Sequence, residues 1–169
     1  MNNEHGTSTV PLDQLTDEQK RENAIRLAFD GDEERFYEFC KVLADELPPE
    51  TAAVLGGSSV AGERWKNGAP FDADGPGTSD LDLTLVGSEV LEHYGLDGFY
   101  VPGVHTRPLN DETLHIAPKL VPLRNKLMKL VKGRPVNIQA TRDFYVYVRE
   151  HLLGQPYLTI CGKIGEPLD

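Results

Sequence analysis

Two aspartates, Asp80 and Asp82, stand two positions apart in the segment SDLDLTLV. Leucines occupy the alternate positions, which is the pattern of a strand with one buried face. Side chains at positions i and i+2 of a strand point to the same side, so the two carboxylates would lie close together and repel each other. Carboxylate oxygens suit Mg²⁺, which takes one or two of them together with phosphates and water. The spacing therefore indicates either a solvated strand face or a site for metal ions.

A glycine-rich turn, LGGSS, follows a short apolar run and offers groups that bind phosphate. Gly57 would let the backbone approach a phosphate closely. Ser58 and Ser59 would add hydroxyl donors, and a helix beginning here would present free backbone N–H groups. Arg64 and Lys66 follow and would either contact a triphosphate or be solvated. The order of the turn and the paired aspartates along the chain is more informative than either feature alone.

The elements that would position these residues alternate between helix and strand, which favours one α/β (α+β) domain with a mixed sheet. We expect residues 1–14 to be a disordered lead-in and residues 15–169 to form the domain. Two helices open it, one from the capping box TDEQ at Thr16 to about Asp30 and one from Glu33 to Leu47. Further strands are predicted at 52–55, in the aspartate segment, in PVNIQA and in YLTIC. Further helices are predicted to begin near residue 58, at SEVLEHY with Ser88 as cap, and to cover 121–131 and 142–154.

Two segments rich in turn residues are predicted to be loops, namely 66–78 and an irregular insertion at 95–112. Within the first loop we expect Asp72 and Asp74 to be solvated. Trp65 just precedes it and is expected to pack over the glycine turn rather than to stack on a base.

Composition bounds the functions that this chain can perform. The net charge of −10 argues against non-specific binding of nucleic acid, so no DNA partner is predicted. A basic stretch from Lys119 to Arg134 would either face phosphates or balance the acidic first third, and we favour the second interpretation. No apolar run approaches the length of a membrane span. The N-terminus lacks a secretory signal pattern, and Cys40 and Cys161 lie far apart, so a reducing cytoplasm is expected.

The strand ending in Gly57-Ser58, followed by Gly62 and then by SDLDLTLV, resembles the signature of the DNA polymerase β nucleotidyltransferase superfamily. It is most similar to the small stand-alone bacterial domains, and the likeness covers about residues 52–87. The resemblance implies a nucleotidyltransferase-like mixed sheet in which Asp80 and Asp82 bind the metal. It also implies that the Gly-Ser turn holds the triphosphate and that Ser79 braces the entry of the strand.

Two features depart from the family pattern. The 22 residues between Gly57 and Asp80 exceed the usual spacing, so the loop looks inserted. The third carboxylate of the family, which would act as base, falls on Asn137, with Gln139 beside it. An amide can ligate a metal but cannot take a proton. Either the alignment is wrong, or an acid such as Asp111, Glu112 or Asp143 substitutes, or catalysis is weakened or lost.

The function that the resemblance implies is Mg²⁺- or Mn²⁺-dependent transfer of NMP from an NTP to a hydroxyl of a small molecule, a protein or an RNA. Such domains often serve toxin–antitoxin or defence systems, with a protein partner. One alternative is a degenerate member, catalytically impaired at Asn137, that binds a nucleotide or a partner without turnover. Another is an interaction protein whose aspartate face is plain surface.

Overall fold

The computed structural model describes residues 10–164, apart from the side chains of residues 150 and 151. These residues form six α-helices and one six-stranded mixed sheet. The helices are α1 (Asp17–Ala28), α2 (Glu33–Glu46), α3 (Ser58–Ala61), α4 (Ser88–Leu91), α5 (Val121–Leu130) and α6 (Phe144–Tyr147), which continues into a π-helical turn at Val148–Leu152. The strands are β1 (Ala52–Gly56), β2 (Leu81–Val86), β3 (Phe99–Val101), β4 (His105–Thr106), β5 (Val136–Thr141) and β6 (Tyr157–Cys161). The predicted mixed α/β architecture is confirmed at this level.

The sheet has the order β3-β4-β5-β2-β1-β6 and brings distant segments of the chain together. β1 and β2 are antiparallel, so the end of β1 lies beside the start of β2 and Gly56 pairs with Asp82. β2 and β5 are parallel, and here Asp82 pairs with Asn137. The glycine turn, the aspartates and Asn137 therefore meet at one end of the central strands.

The main apolar core lies on one face of the sheet, under helices α1, α2 and α5. Leu81, Leu83 and Leu85 are completely buried in it, which confirms the alternation that the sequence predicts for β2. A smaller apolar cluster on the opposite face includes Val54 of β1 and Tyr147 of α6. This second cluster covers the later residues of β2, whereas Asp80 at its start is exposed.

The predicted helix boundaries agree with the structure except at a few places. Thr16 and Gln19 form the predicted capping box of α1. Ser88 does not cap α4, because Gly87 occupies the cap position and no side-chain cap bond forms. The prediction that 95–112 is irregular is wrong, since this segment supplies β3 and β4 at the sheet edge. Residues 1–9 of the predicted disordered lead-in lie outside the described residues, and Leu12–Gln14 form a 3-10 turn.

The loop before β2 is anchored by a partly buried ion pair between Asp72 and Arg134. Arg134 donates to both carboxylate oxygens of Asp72, at 2.6 and 2.9 Å. Asp72 in turn accepts from the backbone N–H of Ser79 at 2.9 Å, and the Ser79 hydroxyl accepts from the Asp72 N–H at 2.8 Å. The expectation that Asp72 is solvated is therefore wrong, because its partner Arg134 comes from a distant part of the chain.

The basic stretch 119–134 pairs mainly with acidic residues of this chain. Arg124 and Arg134 are buried, and two of the lysines reach acids of the N-terminal third. The pairs are Arg124–Asp111, Lys126–Glu46, Lys132–Asp30 and Arg134–Asp72. The contacts support the interpretation that this stretch balances the chain's acidic charge. No helix within residues 10–164 is both long and apolar enough to cross a membrane.

Replacing Asp72 by alanine tests the anchoring role of the loop. Arg134 is only 7% exposed, so the variant leaves a buried guanidinium without its carboxylate, and we expect a loss of about 3 kcal/mol in unfolding free energy. The matched control is Asp74→Ala, since Asp74 is 71% exposed in its pair with Arg64 and should cost about 1 kcal/mol or less. Urea unfolding at pH 7 measures the unfolding free energy of both variants. Equal losses of stability in the two variants would contradict the anchoring role.

The same pair predicts a pH dependence of stability. The guanidinium of Arg134 holds the pKa of the Asp72 carboxyl well below its usual range, so the pair stabilises the folded state at neutral pH. This contribution is lost as the pH falls below about 4 and approaches the lowered pKa. We therefore expect the difference between wild type and Asp72→Ala to shrink in acid, as measured by urea unfolding between pH 7 and pH 2.

Candidate functional site

A pocket of about 420 Å³ opens where the end of β1 meets the start of β2. Six of its lining residues are among those predicted from the sequence: Gly57, Ser58, Arg64, Lys66, Asp80 and Asp82. Ser79, expected to brace the entry of the strand, also lines it, and three further lining residues were not assigned to the site from the sequence: Trp65, Thr78 and Gln155. The convergence follows from the antiparallel pairing of β1 and β2, which the sequence pattern alone does not specify.

The two aspartates share one hydrogen-bond donor. The side-chain nitrogen of Asn137 donates to Asp80 Oδ2 at 3.0 Å and lies 3.4 Å from Asp82 Oδ1. A single atom can approach both carboxylates only if they face a common point, as the i and i+2 spacing predicts. The Asn137 amide partly offsets the repulsion between the two charges and stands at the position that the sequence analysis assigned to a third acid.

The environment of Asp82 disfavours its charge. Burial raises the pKa of the Asp82 carboxyl to about 6. The hydrogen bond from Asn137 opposes this rise, and the negative charge of Asp80 adds to it. A group of opposite charge beside Asp82 would therefore favour the ionised carboxylate.

Gly57 lies so close to Asp82 that any side chain on it would displace the carboxylate. Its backbone angles, φ 74° and ψ −162°, belong to a region that is essentially restricted to glycine. A Cβ atom built on Gly57 would stand 2.5 Å from Asp82 Oδ2. The glycine thus allows the turn to pack against the carboxylate and leaves room for a ligand beside both.

The remaining residues assigned to phosphate binding are placed unequally. Ser58 opens α3 and lines the pocket. Ser59 is fully buried, and its hydroxyl lies 3.5 Å from the Gly56 carbonyl oxygen, so its side chain does not reach the pocket. Arg64 donates to Asp74 at 2.8 Å, and Lys66 is exposed at the pocket wall. Arg134, considered for phosphate contact from the sequence, is instead held by Asp72.

Gln139 belongs to an internal network and not to the pocket. Its side-chain nitrogen donates to Thr84 Oγ1 at 3.1 Å and to the Tyr147 hydroxyl at 2.8 Å. Thr84 also donates to Tyr147 at 3.0 Å. This network closes the polar face of β2 and β5 just beyond Asp82, and so limits the depth of the site.

Two of the three acids considered as substitutes for the third carboxylate have other partners, and the third, the exposed Glu112, does not line the pocket. Asp111 accepts a hydrogen bond from Arg124 at 2.9 Å. Asp143 follows the opposite end of β5 and caps α6 through the N–H groups of Tyr145 and Val146. In the part of the chain that the structure describes, no three His, Cys, Asp or Glu residues are grouped to hold a metal ion. The donor set that the structure assembles is therefore two carboxylates and one amide.

Comparison of this chain with protein-family models, with curated proteins and with solved structures gives no match. We therefore infer a function from the geometry of the pocket and from the resemblance of its short motifs.

Gly57→Ala tests the close packing of the turn on Asp82. The added Cβ is both strained in its backbone region and in collision with Oδ2, so we expect a loss of about 2–3 kcal/mol in unfolding free energy. Gly56→Ala is the matched control, since a Cβ on Gly56 meets nothing within 4 Å. Thermal unfolding measures the stability of both alanine variants. Combining Gly57→Ala with Asp82→Ala should restore the share of the lost stability that is due to the collision. Equal stability of the two alanine variants would show that the contact is unimportant.

Proposed function

We propose that the chain is a metal-dependent nucleotidyltransferase of the DNA polymerase β-like superfamily, which transfers NMP from an NTP to a hydroxyl acceptor. The observation that carries this proposal is the convergence of Gly57, Asp80 and Asp82 in one pocket. Gly57 comes from one segment of the chain and the two aspartates from another. In the sequence, only the resemblance to the family suggests that these segments meet. The close packing of Gly57 on Asp82 supports a site in which a ligand lies directly against the backbone of the turn.

The donor set is compatible with Mg²⁺ or Mn²⁺. Asp80 and Asp82 supply carboxylate oxygens around the point that the Asn137 nitrogen approaches, and hard cations of this kind take one or two carboxylates together with phosphates and water. The Asn137 amide also carries an oxygen, which could ligate if the amide turned over. A divalent ion bound here would partly offset the charges of the two aspartates and of the triphosphate during transfer.

The protein groups near Gly57 suit the phosphates. Ser58 offers a hydroxyl, and the backbone N–H groups of Ser58 and Ser59 begin α3 and have no acceptor within the helix. Lys66 adds a positive charge at the wall of the pocket. Arg64 adds a second charge, which Asp74 holds in place. These donors would orient the triphosphate so that its α-phosphorus faces the acceptor hydroxyl.

The reaction transfers the nucleotidyl group, through its α-phosphorus, from the bridging oxygen of the NTP to the oxygen of the acceptor. The hydroxyl oxygen of the acceptor forms a bond to the α-phosphorus, the bond to the bridging oxygen breaks, and pyrophosphate leaves. The hydroxyl proton goes to solvent, because Asn137 has no basic atom at the position where the family places its base. We therefore expect slow turnover. Two statements stay predictions from the resemblance. One is that the acceptor is a small molecule, a protein or an RNA, and the other is that the chain serves a toxin–antitoxin or defence system with a protein partner.

Asn137 also supports a second candidate, a degenerate member that binds nucleotide without turnover. The amide bridges both aspartates but supplies neither negative charge nor a proton acceptor. The third alternative, an aspartate face that is plain surface, is less consistent with a concave site containing Arg64 and Lys66.

Calorimetry of NTP binding tests the proposed site. We expect NTP to bind with Mg²⁺ or Mn²⁺ present and to lose at least about tenfold in affinity in the variant Asp80→Ala/Asp82→Ala, since each charge-assisted contact contributes about 1.5–3 kcal/mol. Removing two mutually repelling carboxylates should not unfold the chain. Asp45→Ala, which removes an exposed acid from α2, is the control. Unchanged affinity in the double variant would refute the site.

Turnover of labelled NTP distinguishes the enzyme from the degenerate binder. For the enzyme we expect slow transfer by wild type that disappears in Asp80→Ala. Asn137→Asp restores a proton acceptor, and a general base contributes typically about 10²–10⁴-fold, so its rate should rise by at least about tenfold. Asn137→Ala serves as the control for loss of the amide alone. Activity in Asn137→Asp with none in wild type would favour the degenerate member.

A further inference from the structure

Trp65 is the only tryptophan of the chain and stands half exposed on the wall of the pocket. Its exposed fraction is 47%, whereas tryptophan is usually highly buried in folded proteins. Whatever packing it makes over the glycine turn therefore leaves about half of its surface open to solvent. A large aromatic face left open to solvent beside polar groups is a feature of ligand sites.

The loop that carries Trp65 is closed by backbone contacts. The Arg64 N–H donates to the Ala69 carbonyl at 2.7 Å, and the Gly68 N–H donates to the Arg64 carbonyl at 2.8 Å. Glu63 and Pro70 form an isolated antiparallel bridge below them. Trp65 therefore sits in a turn whose two ends are fixed, so its backbone loses little conformational freedom when the ring meets a ligand.

The chemistry around the ring limits what the ligand can be. Arg64 and Lys66 flank Trp65 in sequence, and both line the same pocket. The two aspartates and Gly57 line it as well, beside these cations. A small inorganic anion would use the cations and leave the ring without a partner. A molecule with both a flat aromatic group and a chain of phosphates would use all of these groups.

We infer that Trp65 stacks on the nucleobase of the bound nucleotide and so forms the base subsite of the pocket. The inference rests on the proposed function, because it takes the phosphates to lie at the glycine turn and the aspartates. Stacking on an aromatic face is tolerant of base identity, since every base has a π-face. The pocket should therefore accept several NTPs, with purines bound more tightly than pyrimidines because they offer the larger ring.

Trp65 provides its own signal for the test, since its fluorescence has no contribution from another tryptophan. We expect Mg·ATP and Mg·UTP to quench the emission of wild type, and magnesium tripolyphosphate, which has no base, to leave it unchanged. Quenching by tripolyphosphate equal to that by ATP would overturn the inference, because the signal would then report the phosphates.

Calorimetry with Mg·ATP supplies the second readout. Trp65→Ala should weaken ATP binding by about 5- to 150-fold, the usual contribution of one base–aromatic stack, and should leave tripolyphosphate binding unchanged. Trp65→Phe keeps an aromatic face and should stay within about threefold of wild type. Tyr37→Ala removes an exposed aromatic residue from α2 and is the control. Equal ATP affinity in wild type and Trp65→Ala would refute the stack.

The two proposals can fail separately in this design. If ATP affinity depends on Asp80 and Asp82 but not on Trp65, the stacking inference is wrong and the proposed site stands. If ATP binds through Trp65 but without the aspartates, the base subsite stands and the metal-dependent function is wrong. Failure of wild type to bind any NTP would overturn both.

Discussion

The partly buried ion pair between Asp72 and Arg134 is the interaction on which the shape of the pocket depends. It ties the long loop after α3 to the turn just before β5, and Arg134 also donates to the Ser79 carbonyl at 2.8 Å. Ser79 is the residue immediately before Asp80, so the pair fixes where the first carboxylate leaves the loop. A loop of this length would otherwise be free to move Asp80 away from the glycine turn.

Two carboxylates lie together at the start of β2, and no third carboxylate accompanies them among the lining residues of the pocket. Strand pairing sets Asp82 opposite Asn137, and the Asn137 amide donates to the first carboxylate and lies beside the second. The same arrangement gives the pocket an acidic side and, through Arg64 and Lys66, a basic side. A molecule that carries a cation on one part and phosphates on another would complement both sides, which is the ground for proposing a metal–nucleotide complex over a simple anion.

Local patterns predicted most of the elements, because capping, alternation and glycine stops act between neighbours in sequence. The alternating leucines of β2 and the capping box at Thr16 are examples. The partners of Asp72 and the exposure of Trp65 could not be predicted in this way. Both depend on contacts set by the fold, since Arg134 lies 62 residues beyond Asp72 and the loop's closure decides which way Trp65 faces. The edge strands β3 and β4 were missed because they are short and their turn residues dominate the pattern.

Electron paramagnetic resonance of Mn²⁺ with a non-hydrolysable NTP analogue detects an ion at the carboxylates without requiring turnover or an identified acceptor. The proposed metal site predicts that wild type binds Mn²⁺ together with the analogue, with hyperfine coupling to phosphorus, and that Asp80→Asn/Asp82→Asn loses the bound signal while staying folded. An identical bound-Mn²⁺ spectrum in wild type and in this variant would contradict it.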